Sequence, residues 1–370
     1  MNGQYIKLKV GLPSVRIYNF RPLMKPTSVF SKAVLGWFDK HGRHDLPWQQ
    51  NKTPYRVWVS EIMLQQTQVV TVIPYYQRFM KSFPDVQALA QASTDEALHH
   101  WTGLGYYARA RNLHKCAQTI VNDYAGIFPP DSEKLEALSG IGRSTAGAIA
   151  SISMGMNTAI LDGNVKRVLS RFHAVEGWPG NKKISDAMWL IAQGYTPKKR
   201  TGDYTQAMMD LGATLCTRSK PQCEICPLMP QCQANAEGRV KEFPNSKPKK
   251  DKPVKSTRML IIEHEGAVLL RQQPSTGLWG GLWIFPQQAT EEVALDHPQL
   301  ENCQIARVQE GEAFRHTFSH YHLDIHPVHV HLKARVEQIG EAQILWYNLK
   351  QPERVGLAAP VKKLLDALSV

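Results

Sequence analysis

Four cysteines fall within 17 residues, spaced Cys216-x6-Cys223-x2-Cys226-x5-Cys232. A structural zinc site usually pairs two close Cys-x2-Cys knuckles, whereas here one tight pair is flanked by two more distant thiols. Four thiolates in one short loop suit a compact 4Fe-4S cluster; zinc and unliganded thiols are the alternatives. Arg218 and Lys220 lie inside this loop, so fixing the loop would also fix two cations, a suitable phosphate contact. The bland alternative is a structural staple. Cys116 and Cys303 are remote from the cluster, and clustering of the rest argues against a secreted disulfide framework and for a reducing compartment.

Two carboxylates stand out. Glu61 sits in Val57-Trp58-Val59-Ser60-Glu61-Ile62-Met63-Leu64, with no other charge from Val57 to Val70. If buried, its carboxyl would hold its proton to higher pH, which suits a general acid. Glu61, Gln65 and Gln68 also share helical spacing, so a polar stripe facing water competes with that reading. Asp162, in Ile160-Leu161-Asp162-Gly163-Asn164, stands where an apolar run ends and a helix begins. Spacing alone favours a helix N-cap there. Twenty residues earlier, Leu138-Ser139-Gly140-Ile141-Gly142-Arg143-Ser144 reads as two helices meeting in a tight turn. Its glycines leave the amides of the next helix open to a phosphate.

Apolar periodicity predicts the helices that must carry these groups: from Ser28 to the stop at Gly42, then 55–67, 94–101, 107–124, 132–138, 143–154, 164–172, 183–193 and 203–215. Residues 28–235 are therefore expected to form an all-helical domain ending in the cysteine loop. Residues 236–258, rich in Lys and Pro, read as a linker. Beyond it, 259–263 and 267–271 flank His264-Glu265-Gly266 as a hairpin, and a strand-rich domain over 259–370 closes with a helix near 361–368. His316, His322 and His326 are expected on a solvated strand face. Residues 1–27 carry five basic and no acidic side chains and read as a disordered extension, with Met24 an alternative start.

At 370 residues the chain is long for one domain. Its apolar runs, such as 259–262, are far short of the roughly 18–20 residues that cross a bilayer, so a soluble protein without a membrane partner is expected. The net charge of +12 is uneven: residues 1–232 contribute +11, 233–258 contribute +5 and 259–370 contribute −4. A basic front and an acidic rear suggest a polyanion-binding module joined to a different one.

Taken together, "LPWQ" at 46–49, "SEIMLQQTQV" at 60–69, "WTGLGYYARARNLH" at 101–114, the hairpin at 138–147, "ILDGNVKRVLSR" at 160–171 and the four cysteines resemble the endonuclease III, or helix-hairpin-helix, superfamily of DNA glycosylases, and within it the MutY family. The likeness spans about residues 28–370. It implies a multi-domain protein: an all-α helix-hairpin-helix glycosylase domain with an iron-sulfur cluster loop, and an α+β Nudix-like C-terminal domain. The Nudix likeness rests on "GLWGGLWIFP" at 277–286.

By that resemblance Glu61 protonates adenine at N7, and Asp162 stabilises or attacks the developing oxocarbenium sugar, with Asn164 positioning them. A capping Asp162 is compatible with that role. The base must leave the stack first, and Gln65, Gln66 and Tyr106 are implied as wedges. Gly140, Gly142, Ser144, Lys166, Arg218 and Lys220 are implied DNA contacts. Bifunctional relatives carry a lysine where this chain has Ser144, so a monofunctional enzyme is implied. Phe318-Ser319-His320 matches the loop that contacts 8-oxoguanine, while the Glu-rich magnesium helix of a working Nudix hydrolase is missing, leaving only Glu291 and Glu292 clustered after Pro286. The implied partner is duplex DNA with A:8-oxoguanine or A:G mispairs, bound by a cytoplasmic monomer. A bifunctional glycosylase-lyase, a nucleotide-pool hydrolase and a non-catalytic iron-sulfur DNA-binding protein are the rivals.

Overall fold

The computed structural model describes residues 27–247, 251–290, 295, 297–301, 303–334 and 343–368. Apart from Thr27, the N-terminal extension lies outside these residues, as do Glu291 and Glu292. In chain order the helices are α1 (Thr27–His41), α2 (Pro54–Leu64), α3 (Val69–Ser82), α4 (Val86–Gln91), α5 (Thr94–Trp101), α6 (Ala108–Tyr124), α7 (Ser132–Glu136), α8 (Arg143–Met154), α9 (Gly163–Phe172), α10 (Lys182–Tyr195), α11 (Thr201–Thr214), α12 (Gln233–Ala236) and α13 (Ala359–Leu368). The strands are β1 (Val254–His264), β2 (Ala267–Gln272), β3 (Trp283–Ile284), β4 (Gln287–Gln288), β5 (Ile305–Glu310), β6 (Phe314–Thr317), β7 (His322–Leu332) and β8 (Ile344–Asn348). No helix among the described residues is long and apolar enough to cross a membrane.

The chain divides into two compact units, Met1–Arg43 with Asn157–Lys247, and His44–Met156 with Pro248–Val370. In the first, α11 packs on α1 and α9, and α10 packs on α9. Phe30 stacks on Tyr195 with ring centroids 4.2 Å apart and meets Phe172 edge-on. Asp210 is fully buried, and its charge is matched by Arg43, which donates from its backbone amide at 2.8 Å and from Nε and Nη2 at 3.0 and 2.7 Å. A buried carboxylate is tolerated only when paired in this way.

In the second unit, α2 packs on α8, and α6 packs on α4 and α5. Strands are ordered β3-β2-β1-β7-β5, with β4 on β1, β6 on β7 and β8 on β2. β1 and β7 run parallel from Val254↔His322 to Glu263↔His331. The expected hairpin is present: β1 turns into β2 through Glu265 and Gly266, both with positive φ, as a two-residue primed turn requires. β1 starts at Val254, so the last residues of the 236–258 stretch are strand. The uninterrupted apolar run 259–262 reflects burial on both faces. Met259 and Ile261 join a core shared with Leu98, Trp101 and Leu113 of the helices, whereas Leu260 and Ile262 pack with Val328 and Val330 on the opposite face.

Helical and α+β parts are thus both present, but the iron-sulfur loop expected between them is corrected. Among the described residues, no group of three or more His, Cys, Asp or Glu side chains is disposed to hold a metal ion.

Candidate active site

Thr53 caps α2 by accepting from the Arg56 amide at 3.3 Å, with Pro54 at the first helical position, so the helix begins where both residues favour a start. Seven of its side chains, including Trp58 and Met63, are buried, which anchors the helix and leaves Glu61 half-buried on the polar stripe. That stripe is only partly wet. Gln65 is half-buried with its Nε2 at 3.5 Å from Thr145 Oγ1 on α8, while Gln68 is exposed.

α2 stops at Leu64, and Gln66 takes a left-handed φ of 58°. Tyr106 does likewise at 50° and is 50% exposed. Such conformations are costly away from glycine and persist only where neighbours enforce them. The neighbour is Arg109. Its guanidinium donates to the carbonyls of Ile62 (2.8 Å), Met63 (3.0 Å), Gln65 and Gly105 (3.2 Å), and to Thr67 Oγ1 (3.3 Å). It also lies over the rings of Trp101 and Tyr106. One half-buried cation thereby collects the free carbonyls at the end of α2, and burial lowers its pKa to about 10. Gln66 and Tyr106, the two implied wedges with strained backbone, both lie in segments that Arg109 holds, through Gln65 O and Thr67 Oγ1 on one and the Tyr106 ring on the other.

At the hairpin, Gly140 has φ of 77°, and a Cβ there would sit 2.7 Å from Asn112 Cβ. Gly142 is N-cap of α8 at φ −91° with open space around it and no side-chain cap. Only Gly140 is demanded by the backbone; Gly142 leaves the helix start accessible beside exposed Arg143 and half-buried Ser144.

In the other unit, Asp162 caps α9. Its Oδ1 accepts from the Val165 amide at 2.8 Å and its Oδ2 from Asn164 Nδ2 at 3.1 Å. Burial raises the pKa of this carboxyl, opposed by the hydrogen bonds from Val165 and Asn164 and by the charge of Arg167. Asn164 Oδ1 in turn accepts from Arg167 Nη2 at 2.8 Å, and Arg167 reaches the carbonyls of Gly212 and Cys216 at 2.6 and 2.7 Å. A Cβ on Gly212 would come within 2.6 Å of Asn164 Cβ, so the close approach of α11 to α9 fixes Asn164. Lys166 is half-buried, and Arg218 and Lys220 are exposed.

Cys216, Cys223, Cys226 and Cys232 line one apolar cavity of about 30 Å³. Arg171 Nη1 donates to Cys216 Sγ at 3.3 Å, and Cys232 Sγ donates to the Arg171 carbonyl at 3.5 Å. Burial pushes the thiols of Cys223, Cys226 and Cys232 up, Cys226 to about 11. The expected 4Fe-4S cofactor and its metal-binding role are corrected because, among the described residues, no group of three or more His, Cys, Asp or Glu side chains is disposed to hold a metal ion.

Phe318, Ser319 and His320 form the loop between β6 and β7. Phe318 is half-buried, its ring 4.6 Å from His316, 4.7 Å from Tyr321 and 5.7 Å from Trp279, while Ser319 and His320 are exposed and share a 3.3 Å contact. Burial lowers the pKa of His316.

Sequence reading missed Arg109, Arg111, Asp95 and Trp279. A signal existed in "ARAR" at 108–111, because arginines in the first turn of a helix oppose its dipole and call for another reason to be there.

Residues 59–193 match the model of the HhH-GPD superfamily of base excision DNA repair proteins, and residues 257–367 match that of the NUDIX domain. Among solved structures, a thermostable thymine-DNA glycosylase is 25% identical at a TM-score of 0.50, covering 57% of this chain and 97% of its own. A non-covalent endonuclease III–DNA complex, 21% identical at the same TM-score over 58% of this chain and 98% of its own, shows the same fold. The adenine DNA glycosylase of Buchnera aphidicola subsp. Acyrthosiphon pisum is 43% identical over 339 residues, 91% of this chain and 97% of that protein. The human adenine DNA glycosylase is 37% identical over 75% of this chain and 61% of its own length. At that identity over nearly the whole chain, this protein belongs to the adenine DNA glycosylase family.

Proposed function

We propose that the protein removes adenine mispaired with 8-oxoguanine or guanine from duplex DNA, by hydrolysis and without strand cleavage. The observation that carries the reading is the near full-length identity to adenine DNA glycosylases, joined to a carboxyl held half-buried on a rigid helix at Glu61.

Gln65, Gln66 and Tyr106 replace the stacking of the extruded adenine, and Glu61 donates a proton to N7. The C1′–N9 bond breaks with its electron pair leaving on the base. Asp162, supplied with hydrogen bonds from Val165 and Asn164 that favour its ionised form, stabilises the cationic sugar. Water then adds at C1′ and its proton restores the Glu61 carboxyl. Ser144 offers no amine for a Schiff base, so the strand stays intact. The open start of α8 at Gly142, with Gly140, Lys166, Arg218 and Lys220, contacts phosphates. The Phe318-Ser319-His320 loop reads the lesion. The protein works as a monomer, on chromosomal DNA in the cytoplasm.

Glu61→Gln keeps size and hydrogen bonding but removes the acid. In a single-turnover assay on an A:8-oxoguanine duplex, adenine release is expected to fall by at least about a thousandfold, with duplex affinity retained. Turnover near the wild-type rate would remove Glu61 from this role.

A further inference from the structure

The C-terminal strands carry the proposed lesion loop, and the helices carry the hairpin and Glu61. Both lie in the same compact unit, and a few polar contacts register them. Arg111 Nη1 donates to the Gly280 carbonyl at 2.5 Å. Asp95 accepts from Trp283 Nε1 at 3.2 Å and Gln272 Nε2 at 3.3 Å, and Thr102 Oγ1 accepts from the Leu357 amide at 3.3 Å. Gly356 is a glycine because a Cβ would strike Leu98 Cβ at 2.5 Å.

Arg111 differs from the other contacts in what it grips. Gly280 belongs to a turn in which Gly277, Trp279 and Gly281 all have positive φ. Trp279 is a costly residue there, and it is 7% exposed. Its ring lies against Phe318 and His316. The turn closes on itself through Leu282 N to Trp279 O at 2.8 Å and Gly281 N to Pro274 O at 3.0 Å. The next residue of α6, Asn112, accepts from Ser139 Oγ at 3.4 Å and packs on Gly140 of the hairpin.

We propose that Arg111 is a specificity-positioning residue: by holding the Gly280 carbonyl it fixes the strained Trp279 turn, and through it sets the Phe318 loop in register with α6 and the hairpin. The inference rests on the reading that the Phe318 loop recognises 8-oxoguanine. Arg111 touches neither base nor sugar in this scheme. Its loss should cost lesion preference without cost to the chemistry.

The test uses the full-length protein and single-turnover excision rates on A:8-oxoguanine and A:G duplexes, with thermal melts alongside. Arg111→Ala is expected to lower the ratio of the two rates by about tenfold, the scale of one lost charge-assisted hydrogen bond, through the A:8-oxoguanine rate alone. Arg111→Lys restores one donor and is expected to return most of the ratio. Phe318→Ala serves as the reference for a lost lesion contact. Equal loss on both duplexes, or a wild-type ratio in Arg111→Ala while Phe318→Ala has lost it, overturns the inference alone. A wild type without preference, unchanged in Phe318→Ala, overturns the lesion-reading premise and the inference with it.

Discussion

Single side chains set the geometry of the proposed chemistry, and they differ in how visible they were beforehand. Glu61 could be singled out because it is the one charge in an apolar stretch, and Asp162 because an acid before Gly-Asn at a helix start is a cap; the capping bond from the Val165 amide is present. Arg109 could not be ranked above other arginines, since its value lies in carbonyls contributed by residues more than 40 positions away. Replacing it by lysine keeps the charge but gives up the planar fork. Arg109→Lys should slow adenine release by about ten- to a hundredfold, two or more hydrogen bonds being lost. The defect should shrink on a duplex whose adenine is already unstacked, because Arg109 supports the wedge at Gln66 and Tyr106. An equal defect on stacked and unstacked adenine would contradict that role. The cysteines mark the opposite failure: their spacing was plain, but spacing along the chain carries no information on how the sulfurs are disposed in space.

Elements were legible where their ends carry chemical signals. α5 begins at a complete capping box between Ser93 and Glu96, and α8 ends at left-handed Gly155, so both were placed to the residue. α3 was missed because Pro74 lies inside it and reads as a breaker. α9 carries a pH dependence. His173, its C-cap, is packed between Phe172 and Tyr195, and burial lowers its pKa from 6.5 to about 4. As pH falls, the unfolded chain therefore takes up the proton first, and stability is lost between pH 6.5 and 4. Between pH 7 and 5 this amounts to about 1–2 kcal/mol, allowing for partial exposure. Denaturant titrations of wild type and His173→Gln should show the smaller acid loss in the variant. Identical losses would mean that other groups dominate.

For the whole molecule, the uneven charge is its most general statement of function: +11 over residues 1–232 against −4 over 259–370, as suits a phosphate-gripping part joined to one that reads a base edge. Neither charge nor pattern could show that the apolar core runs without a break from Leu98 and Trp101 to Phe285 and Val361, since that continuity depends on tertiary contacts between distant segments. The central claim is monofunctional adenine excision directed by the opposing base. Its most direct test is incubation of the purified wild-type protein with A:8-oxoguanine, A:G and A:T duplexes, following free adenine and strand integrity before and after alkali. Adenine release is expected from the first two, fastest opposite 8-oxoguanine, with strands intact until alkali is added. Strand cleavage without alkali, or no adenine released from either mispair, would contradict it.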